Sequence, residues 1–202
     1  KVTAISFVVP FFVTILAVLF LEEKIYIYRT LALILGFIGM IIILRPGIIN
    51  ISIGVYMALA SSLMWSVVII ITKSIAKDDS SITILSYGYT YMTIFSFIIA
   101  LFHWQTPGLQ TLIYLFFGGL FGTLLHLCIN HAYKLVDVSV TQPYSFLSLV
   151  FASLIGFYVF NETPDLFTWI GASVIFLGVL IISYREMKLE KEIIRKSIDI
   201  KN

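Results

Sequence analysis

The chain has 202 residues, 60% hydrophobic and 12% charged, with a net charge of +2 and a mean hydropathy of +1.04. A soluble domain of this size cannot hide that much apolar surface, so a water-soluble globular protein is excluded. A single cysteine, Cys128, excludes an intramolecular disulfide, and no His/Cys cluster has metal-ligand spacing.

Several uncharged runs are long enough to cross a bilayer, which needs about 20 apolar residues each. The first expected span is Val2 to Leu21, with Pro10 inside it as a kink that frees a carbonyl one turn earlier. It begins directly after Lys1 and is too long for a signal peptide, so the chain reads as incomplete at its N-terminus. The second span is Ile25 to Leu44, with Arg29 snorkelling to the interface and Pro46-Gly47 as its stop. The third is Ile53 to Thr72, closed by Lys73, Lys77, Asp78 and Asp79.

From Ser80 to Tyr133 there is no Asp, Glu, Lys or Arg. That is too long for one helix, and Trp104-Gln105-Thr106-Pro107-Gly108 breaks it into a fourth span, Thr83 to Phe102, and a fifth, Leu112 to Asn130. Gly118 and Gly122, with Gly119 beside them, read as a close-packing motif, and Cys128 as a packing residue. The sixth span is Ser139 to Phe160 and the seventh Phe167 to Tyr184. The charged tail, Arg185 to Asn202, reads as an interfacial helix. The expected fold is therefore all-α, a polytopic transmembrane bundle of seven spans.

Seven spans put alternate loops on opposite sides. One side holds Lys24, Arg29, Lys73, Lys77, Lys134 and the six basic residues of the tail, 11 in all. The other holds Lys1 and Arg45. That asymmetry places the C-terminus in the cytoplasm of a bacterial inner membrane.

The chain also carries one pattern twice. A shift of 139 places Glu23 on Glu162, Ala32 on Gly171, Gly39 on Gly178, Thr14 on Ser153 and Ala17 on Gly156. Each copy is an apolar helix, a Glu-bearing loop and a second apolar helix. An odd number of spans separates the copies, so they would be inverted in the membrane, the architecture of secondary transporters. Chance similarity between two Leu/Ile-rich hairpins is the alternative.

Glu-x-x-Ile-x-x-x-Arg at 22–29, Gly-Phe-Ile-Gly at 36–39, Leu-Arg-Pro at 44–46, Thr-Gln-Pro-Tyr-Ser-Phe-Leu at 141–147 and Phe-Asn-Glu-Thr-Pro-Asp at 160–165 resemble the drug/metabolite transporter superfamily of the EamA type. Within it, the segments around Pro143 and Glu162 are most similar to the rickettsial S-adenosylmethionine uptake transporters. The resemblance implies a ten-helix protein of two inverted five-helix halves. Residues 1–47 would be the last two helices of the first half, 51–184 a complete second half, and 185–202 a cytoplasmic tail. It implies uptake or exchange of a small metabolite, S-adenosylmethionine first, with an amino-acid or drug exporter as the alternative. A non-transporting fragment, completed by a second copy or a missing N-terminal half, is the reading from a different class.

Polar and aromatic residues at membrane depth are the functional candidates. A cavity lined by Trp65, Tyr87, Tyr91, His126, Asn130, Gln142, Tyr144 and Ser148 would suit a zwitterionic or cationic metabolite. Aromatic faces attract a sulfonium or ammonium, and Asn and Gln can hold carboxylate or amide groups. The bland reading of each Ser is a hydrogen bond to its own helix, and of His126 with Asn130 a bond between helices. Glu23 and Glu162 read as braces of the turn between two helices. With no Gly-rich phosphate loop, H-E-x-x-H or Gly-x-Ser-x-Gly, no enzyme, cofactor or nucleic-acid partner is expected.

Overall fold

The computed structural model describes residues 6–24, 26–45, 53–161 and 163–199. Every regular element among them is helical. Glu162, Pro46 and Gly47 lie outside the described residues, and so does the brace expected of Glu162.

The helices are α1 (Val9–Leu21), α2 (Ile27–Leu44), α3 (Ile53–Ile75), α4 (Ser81–Ala100), α5 (Leu109–Leu135), the single turn α6 (Val138–Thr141), α7 (Leu147–Phe160) and α8 (Leu166–Asp199). Six stretches are long and apolar enough to cross a membrane: α2, α3, Ser81–His103, α5, Val138–Val159 and Leu166–Leu189. Within the described part of the first expected span, α1 has 13 residues, short of a full crossing. Among the described residues the count is thus six where the sequence suggests seven.

Pro10 stands in the first turn of α1, and the start of the longer span expected to kink there lies outside the described residues. Lacking an N–H, proline is best tolerated there. Pro143 has the opposite effect. It divides the sixth expected span into α6, a 3-10 segment Gln142–Phe146, and α7. Side chains occupy the carbonyls around this break. The Thr141 hydroxyl donates to Val138 O at 2.7 Å, Ser145 to Gln142 O at 2.6 Å and Ser148 to Ser145 O at 2.7 Å. Hydroxyls near a proline commonly re-satisfy the backbone at membrane depth. The tail does not turn into a separate interfacial helix. It continues α8 without a break to Asp199, 34 residues in all, or about 50 Å at 1.5 Å per residue.

Contacts divide the chain into two compact units, Lys1–Ile70 with Asp137–Asn202, and Ile71–Val136. In the first unit, α2 and α8 are antiparallel and cross at glycines. A Cβ built on Gly39 would stand 2.6 Å from Gly171 O, and one on Gly171 2.7 Å from Gly39 O. A Cβ on Gly178 would stand 3.0 Å from Ala32 O. The pairs 32/171 and 39/178 are those matched by the 139-residue shift, and each residue touches the mate of the other. Phe7 and Phe146 are also 139 apart and stack on one another, centroids 5.8 Å apart. Glu22 and Asn161, again 139 apart, both end their helices in the left-handed conformation, at φ 55° and 53°. The core beside this crossing joins Leu33, Met40, Phe146, Leu149 and Ile175.

In the second unit, α4 and α5 pack together. No residue of α4 is buried, and α5 buries Asn130 and Tyr133 near its C-terminal end. Lys73 donates to the carbonyls of Tyr133 and Val136, and Lys134 to that of Asp79. A Cβ built on Gly118, Gly119 or Gly122 would meet nothing within 4 Å, so the close approach expected there is made at Gly39 and Gly171 instead. Cys128 lies on an exposed face rather than in packing.

Candidate functional site

The eight candidate residues divide between the two units. In the first, Trp65 and Tyr144 are exposed, Gln142 is buried at 5%, and Ser148 is exposed. Tyr144 shares a 2.7 Å hydrogen bond with Ser183 of α8, which holds its ring against that helix. Gln142 turns its amide back on its own turn, donating to Val138 O at 3.2 Å and Thr141 Oγ1 at 3.1 Å. Its conformation is that of a group bracing the proline break.

In the second unit, Tyr87 and Tyr91 share the exposed face of α4, His126 is half-buried and Asn130 is buried. The tyrosine that meets α5 is Tyr89, whose ring lies edge-on to His126 with centroids 6.0 Å apart. Two residues along a helix is a rotation of about 200°, so Tyr89 faces away from Tyr87 and Tyr91. Ser62 and Ser66 of α3 both donate to the carbonyl one turn back, at 2.8 Å.

A buried polar cluster lies outside the eight cavity candidates, though it includes Glu23, expected as a turn brace. Arg29 is buried at 6% rather than snorkelling outward. Its Nη1 donates to Asp137 Oδ2 at 2.8 Å and to Ser139 Oγ at 3.0 Å, and its Nε to Glu186 Oε1 at 3.1 Å. Glu23, also buried, accepts from the N–H groups of Val138 at 2.8 Å and Ser139 at 3.1 Å, and from the Ser139 hydroxyl at 2.7 Å. Its carboxylate therefore satisfies the first N–H groups of α6, with the Ser139 hydroxyl passing between Glu23 and Arg29. A buried ion is tolerable only when paired and hydrogen-bonded in this way. The sequence signal was mixed charge at span ends: Glu23, Arg29, Asp137 and Glu186 all lie at ends that alternate spans place on one side.

The opposite end of the α2–α8 pair carries a simpler arrangement. Arg45 pairs with Asp165, and its guanidinium lies over the Phe167 ring at 4.1 Å. Asp165 also caps α8, accepting from the N–H of Thr168 at 2.9 Å and its hydroxyl at 2.7 Å. The Arg45 hydrogen bond, then the two from Thr168, lower the Asp165 carboxyl to about 2. A carboxyl lowered on folding stabilises above its unfolded value of about 3.9 and loses that contribution as pH falls toward 2. In detergent, wild type is expected to melt above Asp165→Asn at pH 6, with the gap closing between pH 4 and 2. A gap independent of pH would separate Asp165 from the acid response.

Two clefts lie in the first unit. One, of about 480 Å³, includes Arg45, Ser153, Asp165 and Thr168. The other, of about 460 Å³, is lined by Tyr28, Ile181, Tyr184, Arg185 and Lys188. Neither contains any of the eight candidate residues.

Residues 52–184 match the EamA-like transporter family. The chain belongs to that family. It is 34% identical over 186 residues to an S-adenosylmethionine uptake transporter of Rickettsia bellii, covering 92% of this chain and 64% of the relative. The counterpart in Rickettsia prowazekii is 31% identical, with 92% and 63% covered. A riboflavin transporter of Vibrio cholerae is 33% identical over 180 residues, with 89% and 60% covered. The chain thus spans somewhat under two thirds of the length of these relatives. Its apolar helices and its family together make this EamA-like chain a multi-pass membrane protein.

Proposed function

We propose that this EamA-like chain forms part of a bacterial inner-membrane transporter that moves a small metabolite by alternating access, S-adenosylmethionine first among substrates. The supporting observation is the antiparallel α2–α8 crossing, in which residues 139 apart exchange places across the contact. Two halves related in this way can each adopt the other's shape, which opens a path alternately to either side. The reading takes α1 as the inner end of a seventh span and the seven spans as part of a ten-helix inverted repeat. The C-terminus of α8 lies in the cytoplasm, where the basic tail belongs. The similarity to S-adenosylmethionine uptake transporters supports the substrate.

Tyr144 is the first substrate contact in this reading. It is exposed at 38%, and the bond to Ser183 orients its ring. An aromatic face attracts a sulfonium by about 0.5–2 kcal/mol. Tyr144→Ala is expected to raise the KM for S-adenosylmethionine about 2- to 30-fold, as that range converts, while Tyr144→Phe keeps most of the affinity. Unchanged saturation kinetics in Tyr144→Ala would remove it from the substrate path.

The test of function is uptake of radiolabelled S-adenosylmethionine by cells expressing the chain, with S-adenosylhomocysteine, methionine and riboflavin as competitors. Uptake above the vector control, blocked by S-adenosylhomocysteine, is expected. Preferential block by riboflavin would reassign the substrate to that of the Vibrio cholerae relative. Absence of uptake would favour the second reading, a membrane segment that transports only when completed by a further chain, which the partial coverage of the relatives supports.

A further inference from the structure

The two ends of the α2–α8 pair are built alike but charged differently. At one end the Arg45 guanidinium lies 4.1 Å over the Phe167 ring. At the other, the Arg185 guanidinium lies 5.4 Å over the Tyr28 ring. Tyr28 and Phe167 are 139 apart, and Arg185 is one residue beyond the position 139 after Arg45. At the first end the chain supplies its own anion, Asp165. The residue 139 before Asp165 is Tyr26, so the second end lacks that carboxylate.

Among the described residues, no ion pair at Arg185 replaces it. The residues one turn from Arg185 on α8 are Ile181, Ile182, Lys188 and Leu189, none of them acidic. The adjacent Glu186 is turned toward Arg29. Among the described residues, Arg185 makes no ion pair. Lys188 adds a second cation to the same cleft of about 460 Å³, and the hydroxyl-bearing rings of Tyr28 and Tyr184 complete its wall. The cleft sits near the ends of the apolar windows of α2 and α8. Tyrosines belong at that level of a bilayer, and so do lipid phosphates.

We propose that this cleft is a phosphate site filled by the headgroup of an anionic phospholipid. The phosphate takes the place that Asp165 holds at the other end, accepting hydrogen bonds from Arg185 and Lys188. The tyrosine rings lie along the glycerol and the upper acyl chain. Arginine suits this role because its planar fork engages two phosphate oxygens at once. The site is independent of substrate and of transport, so it stands or falls apart from the function proposed above.

The full 202-residue chain in mild detergent can be titrated with phosphatidylglycerol, phosphatidylcholine or sodium phosphate and read by native mass spectrometry and thermal shift. A basic residue near an anionic headgroup contributes about fivefold in binding. Wild type is therefore expected to retain phosphatidylglycerol about 25-fold over phosphatidylcholine. The preference should fall about fivefold in Lys188→Gln and vanish in Arg185→Gln with Lys188→Gln. Arg45→Gln, at the end with its own carboxylate, should keep it. Lys188 is exposed, so its single replacement reports even if the double variant fails to fold. Sodium phosphate that stabilises wild type alone and displaces the lipid would keep the phosphate site and assign it to a soluble anion. Equal retention of both lipids by wild type, or a preference undiminished in Lys188→Gln, would overturn the proposal.

Discussion

Gly39→Ala is expected to destabilise the chain by about 2–3 kcal/mol, the upper part of the range of about 1–3 kcal/mol for forcing an added methyl into a packed contact. The new Cβ would stand 2.6 Å from a backbone oxygen, Gly171 O, and 2.5 Å from Ile175 Cγ1. Ile175 is fully buried, so its side chain has nowhere to retreat. The Gly171 carbonyl belongs to helix α8, which would have to move as a body. Gly171→Ala should cost a similar amount, because its Cβ meets Gly39 O and Ile43 in the reciprocal geometry. Gly118→Ala is the control. A Cβ there would meet nothing within 4 Å, and exchanging glycine for alanine inside a helix gains up to about 1 kcal/mol. Unfolding in mixed SDS and mild detergent would thus move in opposite directions for Gly39→Ala and Gly118→Ala. Equal stability of the two variants would remove the close crossing of α2 and α8.

Arg29→Gln is expected to cost about 3 kcal/mol. Breaking a buried ion pair costs about 3–5 kcal/mol because the remaining charge is stranded. The low end applies since Asp137 and Glu186 are 46% and 29% exposed and can recover some water. Arg29→Lys should recover little, because one ammonium cannot reproduce a fork that reaches Asp137, Ser139 and Glu186 together. Asp137→Asn alone should cost about 1 kcal/mol, as expected for one partly exposed partner of a charged hydrogen bond. A double-mutant cycle between Arg29 and Asp137, read by thermal melting in detergent, measures their coupling. Coupling near zero would show that the guanidinium is held by Glu186 and Ser139 instead.

The helices themselves were legible. Uncharged runs ending at charged or Pro/Gly residues placed α2, α3, α4, α5 and α8 to within a few residues, apart from the unbroken extension of α8. The sorting of loops to two sides also agrees with the contacts within each unit. Arg29 meets Asp137 and Glu186, Lys134 meets Asp79, and Arg45 meets Asp165. The break at Pro143 was less legible, because a proline in an apolar run can kink a helix, begin one or end one. Here the hydroxyls of Thr141, Ser145 and Ser148 let the backbone tighten into a 3-10 segment. Of the candidate site, Tyr144 acquired a defined partner, Gln142 turned inward, and Tyr89 replaced its neighbours as the ring against His126.

That the chain is helical and carries runs long and apolar enough to cross a bilayer follows from sums over about twenty neighbouring residues, which a linear reading carries. Which face of each helix turns inward does not. Lipid tails are as apolar as leucine, so a helix packed on helices and a helix packed on lipid have the same composition. Only the approach of two distant backbones distinguishes Gly39 from Gly118, and only the convergence of two distant carboxylates, Asp137 and Glu186, turns Arg29 inward rather than toward water. Those are properties of contact, and they came into being when α2 met α8.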